Sequence, residues 1–194
     1  TPFSRYNSKI NNMIIKEKKI INVFLTGSLD NKRRDYTIYL ETLKELKRKK
    51  VKVCTIIGGH CLSKSAPRIL RKIKKYSYET KHYNYIEDKI FDNLIANADL
   101  LLCLNRDQFY TNIKGTGAIG DAFFIGKKLV SIRKKISVSE NNNELLINIF
   151  NMGDLISLIK KVVCDNNYLN VSKDTIKIKE KYFKKLIIDF IEFR

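Results

Sequence analysis

Ala98-Asp99-Leu100-Leu101-Leu102-Cys103-Leu104-Asn105, then Gly115-Thr116-Gly117-Ala118-Ile119-Gly120-Asp121-Ala122, then Gly126-Lys127-Lys128-Leu129-Val130-Ser131-Ile132, decide the fold. They read as a buried strand, a polar glycine-rich loop, the opening turns of a helix and a second strand. In an open α/β sheet a ligand sits outside the carboxyl ends of the strands, so the loop joining these two strands is where recognition or chemistry is expected.

Outward from this core the elements alternate. Residues 20–26, 51–57, 100–104, 129–132 and 145–150 carry apolar runs of strand length. Residues 34–50, 65–76, 86–97, 116–125, 154–164 and 174–193 carry apolar positions at helical spacing, with Ser65 as N-cap and Pro67 in a first turn. The polar and aromatic stretch 76–85 reads as a connector. Strands alternating with helices imply parallel pairing and right-handed crossovers. The expectation is a doubly wound, mostly parallel five-stranded sheet in a Rossmann/flavodoxin-like three-layer sandwich. It divides as a basic extension over 1–19, one α/β domain over 20–164, and an amphipathic helix within 165–194, packed on the domain or in an oligomer interface.

Composition agrees with a single domain. The 194 residues are 44% apolar, enough for one sizeable core. Tracts such as 20–26 and 100–104 are far shorter than the roughly 18 apolar residues of a membrane span, and Thr1–Lys19 has no apolar segment of a secretory signal. Cys54, Cys61, Cys103 and Cys164 form no CxxC pair, and two lie in apolar strand-like runs; a reduced, cytoplasmic setting follows. His60 and Cys61 are adjacent without a matching second pair, so no zinc site is expected, and no cofactor is called for. The net charge of +18 would attract nucleic acid if gathered on one face. The lysines and arginines, Lys32–Arg34 among them, instead fall mostly on polar helix faces. A small anionic ligand is favoured over a nucleic-acid adaptor role.

Strand ends carry glycine and hydroxyl groups at Thr26-Gly27-Ser28, Gly58-Gly59-His60 and Gly115-Thr116-Gly117. Each alone is ordinary turn chemistry. On adjacent parallel strands all open on one edge and form an anion-binding rim suited to a phosphate or a ribose. No Walker A sequence is present, which disfavours a P-loop enzyme. Ser28 and Thr116 have no evident histidine-acid partner for nucleophilic serine chemistry.

Residues 22–28, 98–105, 115–122 and 126–132, with Asn148–Leu155, resemble the nucleoside 2-deoxyribosyltransferase-like family over about 20–163. The Gly58-Gly59 turn is closer to the related SLOG nucleotide-binding domains. The resemblance implies a Rossmann-like fold, a nucleoside or nucleotide as small-molecule partner, a homo-oligomer, and transfer or hydrolysis at an N-glycosidic bond. Such chemistry needs a carboxylate, because the oxocarbenium-like transition state is positive at C1′. The family places a glutamate at the start of the helix after the glycine-rich loop; here that position holds Ala118. Asp121 shares a helix face with it and is one replacement, or else a first-turn acid favoured by the helix dipole. Asp92 matches the family's upstream positioning acid, with Asp88 beside it; the alternative for both is a solvated helix face. Thr26, Gly27, Ser28, Gly58, Gly59, His60, Asp88, Asn105, Gly115, Thr116, Gly117 and Ala118 complete the expected substrate site. A binding or sensing module of the same fold, without catalysis, is the alternative to an enzyme.

Overall fold

A computed structural model describes residues 20–106, 122, 125–132, 146–165 and 168–170. Six strands form one sheet: β1 (Ile21–Leu25), β2 (Val53–Gly58), β3 (Glu79–Tyr83), β4 (Leu100–Cys103), β5 (Leu129–Ile132) and β6 (Leu146–Ile149). Their spatial order is β3-β2-β1-β4-β5-β6, and all neighbouring pairs are parallel. This is the Rossmann order rather than the flavodoxin one, and the direction of winding reverses between β1 and β4.

The helices are α1 (Thr37–Arg48), α2 (Ala66–Tyr76), α3 (Asp88–Ala96) and α4 (Met152–Cys164). The strand period of two divides the apolar runs between two cores. Val23, Leu25, Leu100, Leu102 and Leu104 meet Tyr39, Leu43, Leu46, Ile73, Leu155 and Ile159 from α1, α2 and α4. Phe24, Leu101, Cys103 and Leu129 face the other way, toward Ile95 of α3, where Phe24 and Phe91 meet edge to face at 5.6 Å between ring centroids. The sheet is thus covered on both faces, giving the three layers.

The expected five strands become six because Glu79–Tyr83 is a strand, not a connector. It lies on the sheet edge, where only one side needs a partner, so it carries Glu79, Lys81 and His82 and lacks the apolar run of a central strand. Helix α4 starts earlier than residue 154: the Asn151 side chain accepts from Asp154 N at 3.0 Å, and Asp154 Oδ2 accepts from Asn151 Nδ2 at 2.9 Å. Ser65 precedes α2 without a capping bond from its side chain. Helix α1 is capped by Lys49 and followed by Lys50, whose φ of 59° places a non-glycine residue in the left-handed region, and Val51 N then donates back to Leu46 O at 2.9 Å. Past α4 the chain returns to the sheet: Leu169 is buried, and its carbonyl accepts from Lys128 N at 2.7 Å. Among the described residues no helix is long and apolar enough to cross a membrane. The expected extension over 1–19 and the helix over 174–193 lie outside the described residues.

Candidate functional site

The carboxyl ends of β1, β2 and β4 converge at the switch point. Beyond Leu25, Thr26 donates to Leu102 O through both its N–H (3.1 Å) and its hydroxyl (3.3 Å), which ties the end of β1 to β4. Thr26 is buried and occupied by this structural bond. Gly27 turns the chain with φ +78°, a conformation that glycine adopts without a Cβ penalty.

The turn after β2 packs directly on this one. A Cβ on Gly59 would lie 2.8 Å from Ser28 Cα and 2.9 Å from Ser28 N, so only glycine lets the two loops approach this closely. Leu29 N donates to His60 O at 2.9 Å and Leu62 N to Leu29 O at 3.0 Å, which prolongs the parallel pairing beyond the strands. Gly58 is a packing residue: a Cβ there would stand 3.0 Å from both Ile86 Cδ1 and Phe24 Cζ. His60 is exposed and serves through its carbonyl. His82, at the end of β3, donates from Nε2 to Gly59 O at 2.9 Å, with Cys61 Sγ at 4.0 Å from the same nitrogen.

After Ser28 the chain crosses over the end of β4. Asp35 N donates to Leu104 O at 2.8 Å, Arg106 N donates to Arg33 O at 3.0 Å, and Arg34 forms an antiparallel bridge with Asn105. The Arg34 guanidinium lies over Gly27, and its Nη1 donates to Ser28 O at 2.6 Å. Tyr36, buried beneath, receives the Asp30 N–H on its hydroxyl at 3.1 Å and donates to Ser28 O at 3.5 Å. Burial pushes the Tyr36 phenol above its ordinary pKa, against the lowering influence of the Asp30 N–H and of Arg34. The phenol therefore stays protonated in the neutral range.

Of the expected site residues, the structure brings Thr26, Gly27, Ser28, Gly59 and Asn105 to one edge, with Gly58 just beneath. Ser28 and Asn105 are half-buried, and neither the Ser28 hydroxyl nor the Asn105 amide has a hydrogen-bond partner among the described residues. Asp88 is exposed in the first turn of α3 and Asp92 is exposed one turn further along. Gly115, Thr116, Gly117, Ala118 and Asp121 lie outside the described residues. Sequence reasoning missed Arg34 and Tyr36. The available signal was their position shortly after the Gly27-Ser28 turn, but Lys32–Arg34 reads as one more solvated basic cluster among many. Asp99 is a clamp at the opposite end of the strands: its Oδ2 accepts from Asn22 N at 2.8 Å. Among the described residues no three His, Cys, Asp or Glu side chains gather as metal ligands. An open groove of about 680 Å³, lined by Glu41, Lys44, Glu45, Lys47, Arg48, Tyr76 and Met152, shares no residue with this edge.

No protein-family model matches the sequence, and no curated protein matches it. Among solved structures, the chain is similar to the catalytic domain of cholesterol-alpha-glucosyltransferase from Helicobacter pylori, with a TM-score of 0.56 at 12% identity over 89% of this chain and 99% of that one. Looser likenesses are the E. coli heptosyltransferase WaaC with ADP (TM-score 0.49, 10% identity, 78% of this chain and 47% of that one) and UDP-GlcNAc 2-epimerase from Methanocaldococcus jannaschii (0.46, 14%, 94% and 50%). The chain spans about half the length of these last two, and no argument rests on them. At such identities the likeness to the glucosyltransferase domain is one of fold: this chain is a doubly wound, Rossmann-like α/β protein.

Proposed function

We propose that this chain binds a nucleoside or nucleotide in the crevice between the ends of β1 and β4. The observation that carries the reading is the contact between the Gly59 and Ser28 turns next to the topological switch point, with the Arg34 guanidinium over Gly27 and the Arg34 main chain bridged to Asn105. Calorimetric titration with deoxynucleosides and nucleoside monophosphates tests it. Saturable binding is expected, and it is lost in Ser28→Trp, which fills the crevice. Absence of saturable binding, or binding unchanged in that variant, overturns the reading.

The resemblance carries a second, finer reading, in which the bound molecule is a substrate for N-glycosyl transfer or hydrolysis and the oligomer completes the site. With Ala118 at the family's glutamate position, Asp121 or Asp92 supplies the carboxylate. Incubation with a deoxynucleoside and a second free base, followed by chromatography, separates the two readings. Base exchange that is abolished by Asp121→Ala or Asp92→Ala marks an enzyme. Saturable binding without exchange marks a binding or sensing module.

A further inference from the structure

We infer that Arg34 is an anion anchor, and that the crevice takes a phosphorylated ligand, a nucleoside monophosphate, in preference to the free nucleoside. The inference rests on the nucleotide-binding reading above and deepens it.

The Arg34 side chain is held, yet most of its hydrogen-bonding capacity is unused. Its backbone N–H donates to Asp30 O at 2.9 Å, its carbonyl accepts from Arg106 Nε at 3.4 Å, and its Nη1 donates to Ser28 O at 2.6 Å. Gly27 is what lets the guanidinium settle on the turn, since a Cβ there would fall 2.2 Å from Nη2 and 3.1 Å from Cζ. A guanidinium has five N–H donors in a planar fork, and among the described residues one is engaged. No carboxylate lies within ion-pair distance of Arg34 among the described residues, whereas Arg48 and Lys49 both pair with Glu45. Ser28, whose carbonyl the guanidinium holds, and Asn105, which bridges to Arg34 through the main chain, have side-chain polar groups without partners among the described residues.

A partly buried guanidinium with no carboxylate at ion-pair distance among the described residues gains when a ligand supplies the charge. Sugar hydroxyls and base edges do not require a permanent charge at this position. A phosphate dianion does, and a planar fork with a neighbouring hydroxyl matches its oxygens. Arg106, exposed on the same edge, adds to the positive field that draws an anion in.

The measurement is the ratio of affinities for a nucleoside 5′-monophosphate and the corresponding nucleoside, by calorimetry at low salt. The wild-type chain is expected to prefer the monophosphate by about tenfold or more, the scale of hydrogen bonds to a charged group. Arg34→Ala is expected to bring the ratio to about one, and Arg34→Lys to retain part of the preference. Inorganic phosphate should compete with the monophosphate and not with the nucleoside. Equal wild-type affinities overturn the inference, and so does an Arg34→Ala variant that weakens both ligands equally, the mark of a residue that merely holds the loop. If that variant does not fold, the Arg34→Lys ratio and the phosphate competition decide. Binding of neither ligand defeats the nucleotide-binding reading itself, a result distinct from binding both alike.

Discussion

At the scale of single residues, the site depends on absent side chains as much as on present ones. Gly59 has no room for a methyl group because Ser28 backbone atoms lie 2.8 and 2.9 Å from where its Cβ would stand. Backbone cannot swing aside as a flexible side chain can, so Gly59→Ala should destabilise the fold by about 2 kcal/mol. Nucleotide affinity should fall with it, because the turns after β1 and β2 are pushed apart. Urea unfolding alongside ligand titration checks both effects, and an unchanged midpoint would mean that the two turns yield freely. The glycines were legible as turn residues. Their closeness was not, since Ser28 and Gly59 are far apart in sequence and meet only through the register Leu25 with Ile57.

At the scale of elements, α1 shows how a polar chain is buried without loss. Tyr39 is fully buried, and its hydroxyl shares a 2.7 Å hydrogen bond with Thr55 Oγ1, which shares another of 2.7 Å with Ser77 Oγ. Helix α1, strand β2 and the end of α2 are thereby joined by hydroxyls within an otherwise apolar layer. Burial pushes the Tyr39 phenol above its ordinary value of 10.0. Above about pH 10 the unfolded chain releases this proton while the folded chain keeps it, so the folded state binds more protons and stability falls as pH rises. The Cys54 thiol, pushed up to about 11 by burial from an ordinary 9.0, adds a loss of the same sign. Tyr39→Phe should cost about 1 kcal/mol at neutral pH and make the alkaline loss shallower. Urea unfolding across that range checks it, and an unchanged alkaline slope would remove Tyr39 from the account. The helical spacing of α1 was visible in Tyr39, Leu43 and Leu46, whereas β3 was not visible, because an edge strand needs no apolar run.

At the scale of the whole molecule, the chain beyond α4 contributes Leu169 to the domain's core. Leu169 is buried with the α1, α2 and α4 residues, and its main chain pairs beside β5 through Lys128 N and the Lys127–Asn170 bridge. Leu169→Ala should therefore lower stability by about 2–4 kcal/mol, measured by urea unfolding, and a loss below about 1 kcal/mol would show that the segment is dispensable to the core. Alternation of apolar runs was enough to determine the parallel, doubly wound plan and the turns that open on its carboxyl edge, because strand and helix periods are local properties of the chain. Only the tertiary structure decided the strand order, the sixth strand and the placement of Arg34 over Gly27. Those depend on which distant segments pair, and pairing is set by packing summed over the sheet rather than by any one stretch of residues.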